Sequence, residues 1–185
     1  MHVRRIVTGH DALGRSVFVS DEPAPRATDF IDMPGYGLTQ VWRNDTPASL
    51  GGTGDCTLDN GSLIPFPGGS SMLMISLPPD TVMGAPLDPD RAFAQMSAAM
   101  PGLLECFEQQ DPAMHRTLTV DYVVMLEGEL WLELDEGQQR RVSAGDVVIQ
   151  NGTRHAWRNK SGSVAKAAVF MQGLAPRADT TQGPA

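Results

Sequence analysis

Two short stretches of this chain carry side chains able to do chemistry. In 114–128, His115, Thr117 and Asp121 fall at even spacings, and residues at even spacings in an extended strand share one face. In 145–159, His155 and Trp157 follow a Gly-bearing turn, again two residues apart, so they too share a face. Imidazole and carboxylate are groups that hold divalent metals. A lone histidine in a strand is more often a hydrogen-bonded structural residue, and Asp121 reads equally as an inward residue bonded to a turn. His10 lies in an N-terminal turn, where a structural or subunit-contact role is expected, and His2 is expected to be exposed. The acids of Glu127-Gly128-Glu129 and Asp135-Glu136-Gly137 sit in turn sequences that water accommodates, so no glycosidase carboxylate pair is read into them.

The elements that must position these residues are short strands. From residue 120 onward they are expected at 120–127, 130–134, 139–142, 147–150, 155–158 and 164–171, separated by turns that offer glycine for positive φ. An antiparallel barrel or jelly roll follows from that spacing. Upstream, 4–20 reads as strand, turn, strand, and 38–43 as a short strand containing Trp42. A Gly-rich loop, expected to be mobile, covers 44–61, and 71–77 is an apolar strand ended by Pro78-Pro79. One helical region is expected at 90–109, with Phe93, Met96, Met100, Leu103, Leu104 and Phe107 as its buried face. Pro101-Gly102 should break or kink it. Its methionines are read as core. No internal repeat is found.

Length and composition set outer limits. The chain's 185 residues suit one domain, here 1–173, with N-terminal strands, loop and helix in 1–110, the barrel core in 111–173 and a flexible tail at 174–185. The 19 glycines and 14 prolines imply many turns and little long helix. A net charge of -8 with no Lys/Arg cluster excludes a nucleic-acid partner, whose phosphates require clustered cations. No apolar segment follows the charged residues 1–5 and no long apolar run occurs, so no membrane partner and a soluble, cytoplasmic protein are expected. Cys56 and Cys106, without zinc-type spacing, are expected to be reduced packing residues.

Over about 114–171 the chain resembles the two-motif signature of the cupin superfamily, G-x5-H-x-H-x3,4-E-x6-G and G-x5-P-x-G-x2-H-x3-N. His115 takes the first histidine of the first motif, Thr117 stands where the second is expected, Asp121 replaces the glutamate, and Gly128 follows. In the second motif Gly145 opens, Gln150 stands near the proline place, and Gly152, His155 and Asn159 hold the later positions. The resemblance implies an all-β fold: a double-stranded β-helix, the cupin jelly-roll barrel, with an N-terminal strand extension and one or two short helices. It implies a divalent metal ion (Zn, Fe, Mn or Ni) on His115, Asp121 and His155. Thr117 would support the metal's ligands or touch a small-molecule substrate, and Met125 and Trp157, on the inward face, either line its pocket or fill the barrel. It implies a homodimer in which N-terminal strands pack across the interface, the 4–20 hairpin being the contact. Two functional classes remain open: a metal-dependent lyase or decarboxylase on a small aromatic or polyketide-like organic acid, with an Fe(II) dioxygenase as its variant, and a non-catalytic small-ligand-binding barrel, which the absent second histidine favours.

Overall fold

A computed structural model describes residues 2–45, 55–59 and 61–175. Eleven strands appear among them: β1 (Arg4–His10), β2 (Ser16–Pro23), β3 (Arg26–Asp29), β4 (Gly37–Asn44), β5 (Ser70–Leu77), β6 (Thr119–Glu127), β7 (Glu129–Glu133), β8 (Gln139–Ser143), β9 (Val147–Asn151), β10 (Ala156–Arg158) and β11 (Ala165–Gly173). Two short helices, α1 (Asp80–Met83) and α2 (Pro89–Ala99), lie between β5 and β6. Six strands form one sheet in the order β3-β4-β5-β11-β6-β9, three form a second in the order β10-β7-β8, and β1-β2 stands as a separate hairpin. Every pairing is antiparallel. This is the expected all-β jelly-roll architecture.

The period-2 pattern places the core. In β6, Thr119, Asp121, Val123 and Met125 are buried while Tyr122 and Leu126 are exposed, and in β11 Ala165, Ala167, Val169 and Met171 point inward. Val123 and Met125 from the larger sheet meet Leu130 and Val142 from the smaller one in a single apolar cluster. Gly128 makes the β6–β7 turn at φ +71°, and a Cβ there would stand 3.1 Å from the Ala165 Cα, so both conformation and space demand glycine. The β1-β2 hairpin is tethered by Arg5, which pairs with Asp55 at 2.6 Å, donates to the Thr57 hydroxyl and lies over the Trp42 ring.

Four features differ from the sequence expectation. β3 is a four-residue edge strand that follows Pro23 and Pro25, with only alternate residues partly covered, so it has no apolar pattern to announce it. Within the Gly-rich stretch, Cys56–Leu58 forms one 3-10 turn capped by the Asp55 side chain. The rest of that stretch at 46–54 and 60, and the tail at 176–185, lie outside the described residues, and with them the mobility expected there. The helical region breaks at Pro101-Gly102 as expected, but α2 starts earlier than expected because Asp88 caps it and Pro89 occupies its first turn. It stops before Pro101-Gly102 and is followed by a 3-10 turn at Leu104–Cys106. Finally, Phe93, expected on the buried face, is 65% exposed. α2 lies across the open end of the barrel, so its inner face meets a cavity as well as the core. Both cysteines are free thiols, and no helix among the described residues is long and apolar enough to cross a membrane.

Asn159 holds the end of the barrel together. Its Nδ2 donates to the carbonyls of Leu77 and Ser163, both at 2.8 Å, while its Oδ1 accepts from the Ser161 amide and hydroxyl. Its backbone exchanges hydrogen bonds with Asp80, through the Asp80 carboxylate and amide. One 2% exposed side chain thereby ties the end of β5 to the turn after β10. Asn159→Ala removes the amide donor from two carbonyls and is expected to cost about 2–4 kcal/mol, read as a lower urea midpoint at unchanged slope; an unchanged midpoint would refute this role.

Candidate functional site

The strand leading into β6 and the one leading into β10 meet at His115 and His155. Each residue's amide donates to the other's carbonyl, at 2.9 and 3.0 Å, and this reciprocal bridge sets the two rings 4.2 Å apart, centroid to centroid. Phe107 packs on the outer face of the His115 ring at 4.4 Å, and Trp157 approaches His155 edge-on. Both rings are oriented from behind. The Nδ1 of His115 lies 3.2 Å from the Ala113 carbonyl, and the Nδ1 of His155 lies 2.9 Å from that of Thr153. A carbonyl only accepts, so each Nδ1 carries the proton and each Nε2 presents a lone pair. Gln150 also donates to the Thr153 carbonyl, fixing the group that orients His155.

Burial keeps the pair neutral. Desolvation, reinforced by the neighbouring His155, pushes His115 down to about 4, and desolvation lowers His155 as well. Neutral imidazoles with free Nε2 atoms and backbone-anchored Nδ1 atoms are the form in which histidine ligates a metal.

Asp121 stands on the same inner face of the sheet and is 5% exposed. Desolvation raises its carboxyl to about 6, against a hydrogen bond from Thr119 that lowers it. Its Oδ1 is buried without a partner. The Thr119 hydroxyl lies 2.6 Å from that of Thr117. Thr117, Thr119 and Asp121 thus form one polar relay along the inner face of the sheet. Gly152 packs against this relay at φ +58°, where a Cβ would meet the Thr117 and Thr119 carbonyls at 3.1 and 3.3 Å.

These groups border a cavity of about 620 Å³. His115, Thr117, Asp121, His155 and Trp157 all line it, as the sequence reading expected of pocket and ligand residues. Met125 does not: it is 1% exposed and packs in the core, because the inner face of β6 passes beyond the cavity floor before reaching it. Met100 belongs to the core cluster as expected and Met96 packs against it, and both also line the cavity. Thr119 went unremarked, although its even spacing with 115, 117 and 121 was the available signal. Among the described residues no three His, Cys, Asp or Glu side chains gather closely enough to form a metal-ligand set. Of the expected trio the two imidazoles are brought together, and Asp121 stands on the same cavity wall. The pair fits a divalent ion as a two-nitrogen seat, and the partnerless Asp121 oxygen is the other polar atom on this wall still lacking a bond.

No family model matches the chain. It is 31% identical over 167 residues to the phomopsin biosynthesis cluster protein C' of Diaporthe leptostromiformis, covering 90% of this chain and 76% of that one. It is 27% identical over 161 residues to a cupin-domain-containing oxidoreductase of Aspergillus ruber, covering 87% and 66%. Among solved structures, a cupin domain from Schizosaccharomyces pombe superposes with a TM-score of 0.46 at 8% identity, covering 93% and 87%. Both histidines at their motif positions, the barrel that joins them and the two sequence relatives lead to one statement of kinship: the chain belongs to the cupin superfamily.

Proposed function

We propose that this protein is an enzyme of small-molecule biosynthesis that performs lyase chemistry, by proton transfer, on an aromatic or polyketide-like compound held in the barrel. The observation that carries this reading is the Asp121 carboxyl, buried, with one oxygen unpartnered and its pKa raised to about 6, on the wall of an otherwise apolar cavity. A base poised near neutrality can take a proton and return it. The Thr117–Thr119 relay steadies the ionised form, and the surrounding apolar side chains exclude water from it.

His115 and His155 would hold a divalent metal (Zn, Fe, Mn or Ni) through their Nε2 atoms. When bound, such an ion supplies Lewis-acid polarisation of a substrate oxygen. The two rings meanwhile orient whatever sits against them, since Phe107 and the backbone carbonyls fix their planes. A second reading, oxygenase chemistry with Fe(II), is favoured by the relatives described as cupin-domain-containing oxidoreductases, because sites of two histidines with open positions suit iron.

In this reading the protein is also a homodimer. Trp42, Met72, Phe170, Tyr122 and Ile149 lie in register across five adjacent strands on the outer face of the larger sheet, and Phe18 on the hairpin is 78% exposed. Apolar faces of this extent are ordinarily covered by a partner. Light scattering on the eluting protein should give twice the 19.9 kDa chain mass, and Phe18→Asp with Tyr122→Asp should halve it; a monomeric wild type rejects the dimer.

The test of function begins with the metal. Purified without a chelating tag, the protein should carry near-stoichiometric divalent metal by mass spectrometry, and His115→Ala and His155→Ala should each lose it. Zinc, manganese or nickel supports lyase screens and iron supports oxygenase screens. No metal even after reconstitution would favour a non-catalytic binding barrel.

Asp121 yields a separate prediction in stability. Its folded pKa lies above the ordinary 3.8, at about 6, so folding favours the protonated form. That contribution is complete below the ordinary carboxylate range and is lost as pH rises through about 6. Asp121→Asn removes the charge while keeping the shape. It should therefore be more stable than wild type above that pH by about 2 kcal/mol, with the advantage vanishing in acid; equal thermal midpoints at neutral pH would contradict the assignment.

A further inference from the structure

A second, smaller cavity of about 180 Å³ lies between β3, β4 and the C-terminal end of α2. Arg26 and Thr28 of β3 stand on its wall, beside their strand partners Gln40 and Leu38, and Ala98 and Ala99 border it from α2. Leu38 lines both cavities, whereas the histidine pair and Asp121 line only the larger one.

Among the described residues five arginines are buried or half-buried: Arg5, Arg26, Arg43, Arg154 and Arg158. Four of them pair with a carboxylate: Arg5 with Asp55, Arg43 with Asp45, Arg154 with Glu108 and Arg158 with Asp111. The charge that acts on Arg26 is instead a second cation. Burial, and then the neighbouring Arg43, lower the Arg26 pKa, so its charge is held at a cost. The last carbonyls of α2 offset part of it, with about half an elementary charge where a carboxylate would bring a whole one.

Both hydrogen bonds that Arg26 makes leave from Nη1, to the Gln40 side chain at 2.8 Å and the Gly61 carbonyl at 2.9 Å. Gln40 is itself fixed by donating to the Ser71 hydroxyl at 2.9 Å, so the guanidinium is held from one end. Its Nη2 is buried without a partner. Nε and Nη2 form the edge of a guanidinium that grips two oxygens at once. Arg4, Arg91 and Arg154 give that edge to Asp21, Asp32 and Glu108. In Arg26 it meets no acceptor among the described residues. Thr28, two residues along β3 and therefore on the same side, adds a hydroxyl to the wall.

We propose that this pocket is a second ligand site, separate from the main cavity, and that it binds a phosphate group through the Nε–Nη2 edge of Arg26 and the Thr28 hydroxyl. A half-buried cation without a full counter-charge is costly. A tetrahedral oxyanion removes that cost: two of its oxygens meet the guanidinium edge and a third accepts from the hydroxyl. The free ion and the phosphate of a larger molecule offer the same chemistry to these groups.

The experiment adds inorganic phosphate to the protein as purified, at neutral pH and an ionic strength held constant with chloride, and reads binding by calorimetry. One saturable site per chain is expected. Arg26→Gln should weaken it by about tenfold or more, and Thr28→Val by severalfold. Ala98→Leu, which fills the pocket without altering charge, should abolish it. His155→Ala, which removes a ligand of the metal, should leave the affinity unchanged, since the phosphate does not sit on the metal. Circular dichroism checks each fold, and if Arg26→Gln does not fold, Thr28→Val and Ala98→Leu decide. Ribose 5-phosphate is the second arm: binding tighter than the free ion assigns the site to a phosphorylated molecule, and equal or weaker binding assigns it to the ion. No saturable binding of either up to about 50 mM, binding indifferent to the pocket variants, or binding lost in His155→Ala overturns the proposal.

Discussion

The reciprocal hydrogen bonds between the backbones of His115 and His155 are the constraint on which the site depends. They are two bonds of about 3 Å, each worth little alone, but they join segments forty residues apart in the chain, one leading into the six-stranded sheet and one into the three-stranded sheet. Everything nearby is arranged to keep that junction in place. Phe107 backs one ring, Gln150 holds the carbonyl that orients the other, and Gly152 gives the turn the space to bring them together. Both rings are oriented through Nδ1 by a second set of bonds, to the Ala113 and Thr153 carbonyls, which decides that Nε2 faces the cavity. Fold and chemistry meet in the same two residues, the backbone joining the sheets and the ring facing the cavity.

The open end is secured differently. The segment between α2 and β6 has no sheet ladder of its own, and it is held across the strand bearing His155 by two arginines that flank that residue's neighbourhood. Arg154 reaches Glu108 and Asp135, and Arg158 reaches Asp111 and Glu133. Surface ion pairs contribute little in isolation, but bidentate pairs in a connected set also fix direction. Here they keep Phe107 against His115 and Pro112 at the cavity's edge. The barrel walls stand by apolar packing, whereas this crossing stands by charge, which makes the opening more sensitive to ionic strength than the core.

Sequence and structure agree where a periodic pattern meets its own punctuation. The strands from β6 to β11 were legible because glycine or Asx-type turns interrupt alternating residues at short intervals, and both histidines were legible because motif position and strand parity coincide. β3 was invisible because an edge strand of four residues needs no apolar face. Phe93 and Met125 were misplaced for a common reason: periodicity tells which side a residue faces, not whether that side holds packed atoms or space. α2 turns Phe93 toward an opening, and β6 carries Met125 past the cavity floor into packed core. The ion-pair crossing was equally illegible, since its partners lie far apart in sequence and only the fold brings them together.

The cavity's polarity follows from how its few polar groups are already engaged. A polar wall in a protein interior ordinarily satisfies its donors and acceptors internally, and this one nearly does: each Nδ1 has a carbonyl, Thr117 has Thr119, and Thr119 has Asp121. What remains is acceptor capacity, in two Nε2 lone pairs and one carboxyl oxygen, with no spare donor beside them. Three acceptors facing one apolar space are electrostatically incomplete. They call for something that donates to them, whether a cation at the imidazoles, a proton on the carboxyl or a hydroxyl on a bound molecule. The raised pKa of Asp121 and the lowered pKa of His115 express this from opposite sides. The carboxyl takes up a proton readily because burial disfavours its charge, and the imidazole refuses one because burial and its neighbour both disfavour charge. A site that lacks donors while resisting protonation at its nitrogens is selective before any substrate shape is considered.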